Sequence, residues 1–301
     1  MSLRTLSLTP RKVIRLVLVV LLVLLLAITL IGFRSYRREA ASYEPHRYQI
    51  PLDEAVGLPD PREVAFEAIT GTVKGWYSRS TNGAAIVLVH GSGADRRAVL
   101  GEAVLLASEG YGVLLIDMPG HGESSGDVDW SNGGRSALVA ALDFLSIQPD
   151  VDPGRLGALG TSMGGFIVAQ VAATDRRLKA VALLGAPPDQ EEVTRWENRR
   201  YGPFSEIPAL WAMERGGLPR NEQPPIDEIN KISPRAVLVV GGSDDHLVTP
   251  DFTRRLFDAA GQPKELMMID KAGHGDYLAV GGDAFRGALI RFFDDYLLDA
   301  T

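Results

Sequence analysis

Short apolar runs alternate with longer amphipathic segments from about residue 85 to the end of the chain. The apolar runs, each four or five residues long, predict strands at Ala85–Val89, Val113–Ile116, Leu156–Leu159, Ala180–Leu184, Ala236–Val240 and Glu265–Ile269. Apolar residues recur at helical spacing in Arg97–Ser108, Ser136–Leu145, Phe166–Ala173, Asp251–Ala260 and Ala284–Leu298. This alternation predicts an α/β fold with a mostly parallel central sheet and helices on both faces.

The N-terminal segment carries a different pattern, a continuous apolar run. Leu16–Phe33 contains no charged residue, and as a helix it would span about 27 Å, close to the hydrocarbon thickness of a bilayer. Arg15 precedes it and Arg34 follows it. The run therefore predicts one transmembrane helix, through residues 16–33, as a single-pass anchor in the cell membrane. A cleaved signal peptide, with a weak cleavage site at Ala40-Ala41-Ser42, stays open as the alternative.

Charge divides the chain sharply. Residues 1–38 hold seven Lys or Arg and no acidic residue, whereas the remainder holds 24 basic and 38 acidic residues. Four of the seven, among them Arg4, precede the apolar run, so the positive-inside rule favours a cytoplasmic N-terminus and an extracytoplasmic folded domain. The acidic body would repel a polyanion, which predicts no nucleic-acid partner. The chain contains no cysteine, so its fold uses no disulfide.

These patterns divide the chain into a basic N-terminus with a transmembrane anchor (1–38), a tether (39–63) and a folded domain (64–301). The tether is predicted to be partly extended, because four prolines stand among mixed charges. One stretch of the domain, about 187–232, interrupts the alternation and places Trp196 and Trp211 among prolines and charges. We predict that it forms a small cap whose tryptophans line an apolar pocket. A surface excursion is the alternative.

Gly160-Thr161-Ser162-Met163-Gly164 joins a predicted strand to a predicted helix. In this setting the turn is so tight that the serine takes a strained backbone conformation and its hydroxyl stands above the sheet edge. Glycines are needed on both sides because strand and helix nearly touch there. A second match to the pattern, Gly122-Glu123-Ser124-Ser125-Gly126, is followed by polar residues rather than a helix and is interpreted as a polar loop. Ser162 is the candidate nucleophile.

A serine nucleophile needs a base, and the base needs an orienting acid. The five histidines are His46, His90, His121, His246 and His274. His46 lies in the predicted tether, and we interpret His90 and His121, which follow strands upstream of Ser162, as structural. His274 follows the last predicted strand and is the favoured base, since the chain order Ser, acid, His is a known triad order.

The acid is expected in the loop after the strand Ala236–Val240, where Asp244 and Asp245 both lie. His246 beside them raises the question of a metal site. Adjacent loop residues rarely converge on one ion, however, and no further ligand cluster flanks them. We therefore predict neither a metal nor a cofactor.

These motifs resemble those of the serine hydrolases of the α/β-hydrolase superfamily, from about residue 64 to the C-terminus. His90-Gly-Ser-Gly93 resembles the family's oxyanion-hole loop, Asp117–Ser124 the turn after its fourth strand, and Gly273-His274-Gly275 its histidine turn. The resemblance assigns the acid by its spacing from Gly242 and Val248, which favours Asp245 and leaves Asp244 as the rival.

The resemblance thus implies a triad of Ser162, His274 and Asp245. Backbone N–H groups of Met163 and Ser92 would bind the oxyanion. The activity implied is cleavage of carboxylic esters through an acyl-enzyme, as in the membrane-anchored esterases and the serine-aminopeptidase-like branch of the superfamily. An aminopeptidase, a thioesterase or a non-catalytic ligand-binding protein of the same fold are the alternatives.

The expected partners are a small acyl substrate and the lipid bilayer, and the sequence leaves the oligomeric state open. Every motif named above lies beyond residue 89. A chain that starts near Tyr43 is therefore expected to be soluble and fully active.

Overall fold

The structure is a computed structural model that describes residues 9–220 and 222–298. Its strands are β1 His46–Arg47, β2 Arg62–Ala68, β3 Gly71–Ser78, β4 Ala85–Val89, β5 Gly112–Ile116, β6 His121–Gly122, β7 Leu156–Thr161, β8 Leu178–Leu184, β9 Ala236–Gly242 and β10 Lys264–Ile269. Its helices are α1 Pro10–Ala41, α2 Leu100–Ser108, α3 Asn132–Ser146, α4 Met163–Thr174, α5 Gln190–Asn198, α6 Pro203–Arg215, α7 Pro225–Glu228, α8 Pro250–Ala259 and α9 Tyr277–Phe293. A π-helical turn, Asp294–Leu298, continues α9.

Eight strands form the central sheet, in the order β10-β9-β8-β7-β4-β5-β3-β2. The six strands from β10 to β5 are parallel to one another, and they contain all six apolar runs seen in the sequence. The predicted α/β fold with a mostly parallel sheet is therefore confirmed. Two strands of this sheet were not predicted: β3 pairs antiparallel with β5, and β2 pairs antiparallel with β3 at the sheet edge.

The central strands are buried on both faces, and their side chains alternate between two cores. In β4, Val87 joins the core that includes residues of α3, α4 and α8, while Leu88 joins the core that includes α2 and α9. Apolar burial on both faces is the main free-energy source for such a layered sheet. The predicted helices on both faces are thus present.

Helix α1 extends well beyond the predicted membrane span, to Ala41. It is the one helix within the described ranges that is long and apolar enough to cross a membrane, with a mean hydropathy of 3.3 over its most apolar window. Its side chains are almost all exposed up to residue 27, whereas half-buried positions recur from Ile28 onward. The finding is compatible with an anchor and with a signal sequence. Arg4, which enters the predicted orientation, lies outside the described residues.

Residues 39–63 differ from the predicted extended tether, because they pack against the body. Tyr43 is buried, and its ring centroid lies 5.4 Å from that of Trp130. Ile50 and Leu58 are also buried, and β1 pairs in parallel with β6. Burial of the apolar side chains that stand among the prolines stabilises the packed segment more than hydration stabilises the extended one. The prediction from composition alone was therefore wrong.

The predicted cap region, 187–232, lies between β8 and β9 and contains α5, α6 and α7. Helices α5 and α6 pack against each other, and α6 also packs along α1. Ser205, Ala209 and Met213 form the buried side of α6. Residue 221 of this region is outside the described residues.

Candidate active site

Ser162 occupies a strained turn between β7 and α4. Its φ is 53° and its ψ is −116°, a left-handed backbone that non-glycine residues rarely adopt. The Ser162 N–H donates to the carbonyl of Leu184 at 2.8 Å, which fixes the turn against β8. A Cβ on Gly160 would lie 2.3 Å from the Gly164 carbonyl oxygen, and one on Gly164 would lie 2.2 Å from that of Val89. Both glycines are therefore required by close backbone approach.

His274 and Asp245 meet at the carboxyl ends of the strands. Nδ1 of His274 lies 2.8 Å from Oδ2 of Asp245. The other carboxylate oxygen, Oδ1, accepts the backbone N–H groups of Leu247 and Val248, both at 2.9 Å. Asp245 is buried, whereas Asp244 is exposed. The structure thus brings Asp245, not Asp244, against His274, with an orientation that three hydrogen bonds fix.

A fourth hydrogen bond to this carboxylate comes from a residue that sequence reasoning missed. The hydroxyl of Tyr277 donates to Oδ2 of Asp245 at 3.1 Å. Burial and the nearby carboxylate raise the pKa of Tyr277 above its usual value, so the phenol remains protonated and able to donate. The only sequence signal is its place three residues after His274, where α9 begins.

Ser162 and His274 line one cavity of about 530 Å³. Ser92 also lines it, and Gly91 lies so near the serine that a Cβ there would be 3.3 Å from the Ser162 Cβ. Met163 is buried and begins α4. Of the two residues predicted to bind an oxyanion, Ser92 therefore lies in the wall of the same cavity as Ser162, and Met163 follows Ser162 directly in the chain. Nε2 of His274 is buried and makes no hydrogen bond to the described part of the chain.

His90 and His121 hold the loop beside the serine. His90 contacts the carbonyl of Gly91 through Nδ1 at 2.7 Å and accepts the N–H of Met118 on Nε2 at 3.0 Å. The Gly93 N–H donates to Nε2 of His121 at 3.3 Å. Burial lowers the pKa of His90 to about 4 and that of His121 to about 3, so both rings are neutral acceptors at neutral pH. These contacts agree with a structural role.

A largely buried network of ion pairs lies next to the loop that contains Gly91 and Gly93. Arg96 pairs with Asp117 at 3.2 Å and with Glu123 more closely still, and its guanidinium lies 5.0 Å from the Trp76 ring. Ser124, the serine of the second pattern match, is buried here. Its hydroxyl donates to the Asp117 carbonyl at 2.7 Å and accepts the N–H of Lys74 at 2.9 Å. The Ser124 hydroxyl thus already donates one hydrogen bond and accepts another, and Ser124 does not line the cavity.

The cap and the end of α1 form the rest of the cavity wall. From α5 come Gln190, Val193 and Glu197, and from the chain around the end of α1 come Glu39 and Tyr43. Thr194 donates to Oε1 of Glu39 at 3.0 Å, and Arg38 donates to Oδ1 of Asn198 at 2.9 Å. The N-terminal helix is therefore joined to the cap at the cavity itself.

The predicted role of two tryptophans is wrong. Trp196 stacks edge-on against Phe252 with ring centroids 6.2 Å apart, and Trp211 is 55% exposed on α6, so neither lines the cavity. The tryptophan in the wall is Trp130, which precedes α3. The α5 residues that line the cavity are Gln190, Val193 and Glu197, whereas Trp196 of the same helix packs towards α8 through Phe252. Within residues 9–220 and 222–298, no cluster of three or more His, Asp or Glu is arranged to hold a metal ion.

Comparison with protein families gives two matches that together follow the folded domain. A family model described as alpha/beta hydrolase fold matches residues 84–206, and one described as TAP-like protein matches residues 208–301. An uncharacterized protein of Mycobacterium tuberculosis (strain ATCC 25618 / H37Rv) is 29% identical over 286 residues, which cover 92% of this chain and 94% of that protein.

Solved structures agree on the architecture. The esterase of Pyrococcus furiosus is similar with a TM-score of 0.70 at 17% identity, covering 84% of this chain and 98% of that chain. An acylaminoacyl peptidase is similar with a TM-score of 0.60 at 20% identity, covering 79% of this chain and 41% of that chain. At these identities the likeness concerns the fold alone.

Proposed function

The chain belongs to the α/β-hydrolase superfamily, and from this membership we propose that it is a serine hydrolase that cleaves carboxylic esters of small acyl substrates. Oγ of Ser162 attacks the carbonyl carbon, and His274 takes the serine proton and returns it to the leaving alcohol. Asp245 orients the imidazole and stabilises its protonated form. Water, activated by His274, then attacks the acyl-enzyme and releases the acid.

The oxyanion of each tetrahedral intermediate is stabilised by the backbone N–H groups of Met163 and Ser92. These groups need no particular side chain, which agrees with a buried Met at one position. Since α4 begins at Met163, the positive end of its dipole also faces the reacting carbonyl region.

One observation carries the proposal: the buried Asp245 lies 2.8 Å from His274, and His274 lines the same cavity as the strained Ser162. A His–carboxylate pair fixes the ring tautomer, which leaves Nε2 available to a serine. Strain of the kind seen at Ser162 persists where function selects for it.

The direct test is labelling by a fluorophosphonate probe, followed by turnover of p-nitrophenyl esters of increasing chain length. We expect the wild-type chain to be labelled and to hydrolyse esters, and Ser162→Ala to do neither. A folded wild-type chain that is neither labelled nor active would identify a non-catalytic binding protein instead.

A second activity, aminopeptidase, is favoured by two carboxylates in the cavity wall. Glu39 and Glu197 both line the cavity, and burial raises the pKa of Glu197 above its ordinary value. A substrate ammonium group would offset the cost of burying such charges. Aminoacyl anilides, compared with esters of equal size, decide between the two. Preference for the anilides that is lost in Glu197→Gln would support the peptidase.

We also propose that α1 crosses the membrane once and leaves the folded domain outside the cytoplasm. The support is the apolar length of α1 and the excess of basic residues before it. Full-length protein should resist carbonate extraction, and protease added outside the inner membrane should cut the domain. A mature N-terminus near Ala41 would instead reveal a removed signal peptide.

A further inference from the structure

An apolar stripe on the outer face of α6 is exposed beside the N-terminal helix. It consists of Phe204, Ile207 and Trp211, spaced three and four residues apart and therefore on one helical face. Their side chains are 53%, 44% and 55% exposed, while the opposite face of α6 is buried. Clustered large apolar groups on a surface mark a place where a protein meets something other than water.

Helices α6 and α1 run side by side in the same direction. Near the start of α6, a Cβ on Gly32 would lie 3.2 Å from the Pro208 side chain and 3.3 Å from the Phe204 carbonyl oxygen. Just past its end, a Cβ on Gly216 would lie 2.3 Å from the Cβ of Tyr43. The later contact on one chain thus meets the later contact on the other, so the two helices are parallel. The level of a residue of α1 relative to the bilayer therefore gives the level of the α6 residue beside it.

This pairing places the stripe relative to the uncharged run. Gly32 lies one residue before that run ends at Phe33, so Phe204 and Pro208 lie at the level where the hydrocarbon region would end. Trp211 lies three residues further, about 5 Å beyond Pro208 along the helix. Tryptophan is enriched at this level of a bilayer, where its ring meets both the headgroups and the acyl chains.

Charges around the stripe fit the same level. Arg34 and Arg37 follow the apolar run on exposed positions of α1, and Arg199 and Arg200 precede α6 on exposed positions. The guanidinium of Arg199 lies 3.5 Å from the Trp196 ring, and that of Arg200 lies 5.5 Å from the Tyr201 ring. Cationic and aromatic side chains together favour an anionic headgroup layer.

The cavity lies close to this layer. Glu39, which lines it, is six residues beyond Phe33, so it stands at most about 9 Å from the hydrocarbon edge, and any tilt of α1 reduces that height. Ala41 and Ser42, also in the lining, continue the same wall. The route from the bilayer surface to Ser162 is therefore short.

We propose that α6 contacts the lipid bilayer, with Phe204, Ile207 and Trp211 inserted beside α1, and that the cavity takes amphiphilic acyl substrates from the membrane surface. The inference rests on the proposed hydrolase function and on α1 as a membrane span. The bilayer is the favoured occupant because the stripe continues the surface of a helix that itself crosses the bilayer.

The contact is tested first without activity. Full-length protein is reconstituted in vesicles of anionic and zwitterionic phospholipids whose acyl chains are brominated near the ester end, and tryptophan fluorescence is measured. Trp76 and Trp130 are buried. We expect bromine to quench the wild-type signal, and Trp211→Phe to lose more of that quenching than Trp196→Phe, because the Trp196 ring is partly covered by Phe252 and Arg199. Quenching that is absent, or unchanged in Trp211→Phe, overturns the proposal.

A second copy of the chain on the stripe would also overturn it. Because the chain contains no cysteine, Ile207→Cys introduces a single thiol at the centre of the stripe. A bifunctional thiol reagent should yield monomer only in vesicles at low protein density. Efficient cross-linking between copies there identifies a dimer interface instead of a lipid surface.

Turnover then tests the substrate route. The triple variant Phe204→Ser/Ile207→Ser/Trp211→Ser is compared with Ile147→Ser, which changes an even more exposed apolar residue directly after α3, outside the stripe. We expect a long-chain ester held in vesicles to be hydrolysed about tenfold more slowly by the triple variant, and a short soluble ester at the wild-type rate. Equal rates on the vesicle ester overturn the proposal. Failure on every ester by the wild-type chain would instead contradict the proposed function, while the quenching result still stands.

Discussion

The hydroxyl of Tyr277 donates a 3.1 Å hydrogen bond to Oδ2 of Asp245, the same oxygen that contacts His274. The two donors share one carboxylate oxygen, so the tyrosine withdraws part of the charge that would otherwise stabilise a protonated His274. Tyr277 is in this sense a positioning residue. It does not line the cavity and acts through Asp245.

Replacing Tyr277 by Phe removes that bond and leaves the ring in place. The carboxylate then stabilises the protonated imidazole more strongly, so the acid limb of the pH profile of kcat/KM is expected to move to higher pH. The value of kcat should fall by less than about tenfold, because the other three hydrogen bonds to Asp245 remain. A profile that keeps its shape and position would show that the tyrosine only packs.

The second prediction concerns the proposed nucleophile and base. Ser162→Ala and His274→Ala should each lower kcat by about 10⁴ or more without unfolding the chain. Ser124→Ala is the matched control, since Ser124 belongs to the same sequence pattern. It should cost about 1–3 kcal/mol of stability through two lost buried hydrogen bonds and leave kcat nearly unchanged. If Ser124→Ala abolished turnover and Ser162→Ala did not, the nucleophile would be Ser124 and not Ser162.

The acid is tested by a pair of adjacent substitutions. Asp245→Asn should lower kcat by about 10⁴, because an amide in that place favours the wrong imidazole tautomer. Asp244→Asn should leave kcat within about twofold, because Asp244 is exposed and does not contact His274. Steady-state kinetics on one soluble ester compares the two, and the reverse order of effects would assign the acid to Asp244.

These residues differ in how far the sequence reveals them. The turn at Ser162 is local: strand, glycines, serine and helix are contiguous, so the pattern predicts the geometry directly. The choice between Asp244 and Asp245 depends on which carboxylate turns inward, and spacing learned from a family was needed to make it. Glu39 carries no sequence signal, and Tyr277 carries only its place three residues after His274. The role of each depends on a partner far away in the sequence, Thr194 for Glu39 and Asp245 for Tyr277.

The fold shows the same division. Five of the six parallel strands are buried apolar runs, and the sixth, the edge strand β10, is half-exposed, yet all six were predicted. The antiparallel edge strand β2 alternates between half-buried and exposed positions, and its half-buried side carries only three apolar residues, Val64, Phe66 and Ala68. Such a strand is stabilised by its pairing with β3 rather than by its own pattern, so the sequence signal is faint.

The fourth prediction follows from the two buried histidines. Burial lowers the pKa of His90 to about 4 and of His121 to about 3, whereas both titrate near 6.5 when unfolded. Below pH 6.5 the unfolded chain therefore binds more protons, and the free energy of unfolding falls toward pH 4, by up to about 3 kcal/mol for each ring. Burial raises the pKa of Asp117 to about 6, which has the opposite sign and offsets part of this loss below pH 6.

Denaturant unfolding between pH 7 and pH 4.5 measures this slope. His121→Asn removes one titrating group, so its unfolding free energy should depend less steeply on pH than that of the wild-type chain, whatever its absolute stability. Parallel pH dependences of the two proteins would mean that His121 is protonated alike in the folded and unfolded states.

The last prediction concerns the end of α1. From the motifs alone, a chain that starts near Tyr43 should be fully active. The structure leads to a different expectation, because such a chain loses Glu39, which accepts a 3.0 Å hydrogen bond from Thr194 of α5, and Arg38, which bonds Asn198. It also loses the Ser42 carbonyl that accepts the hydroxyl of Ser92. Helix α5 and the loop at Ser92, which both contribute to the cavity wall, therefore lose hydrogen bonds that hold them.

A chain that starts at Arg34 keeps all three contacts and lacks the apolar run and the basic residues before it, so it is the matched control. We expect the Arg34 chain to match the full-length protein on a short soluble ester, and the Tyr43 chain to show kcat/KM lower by about tenfold, since a loosened wall costs of the order of 1–2 kcal/mol in substrate binding. Thr194→Val in the Arg34 chain should reproduce part of the loss, because it removes the bond to Glu39 together with the longer contacts of the Thr194 hydroxyl to Gln190 and Met213. Equal kcat/KM for the Arg34 and Tyr43 chains would mean that the helix end covers the cavity without shaping it.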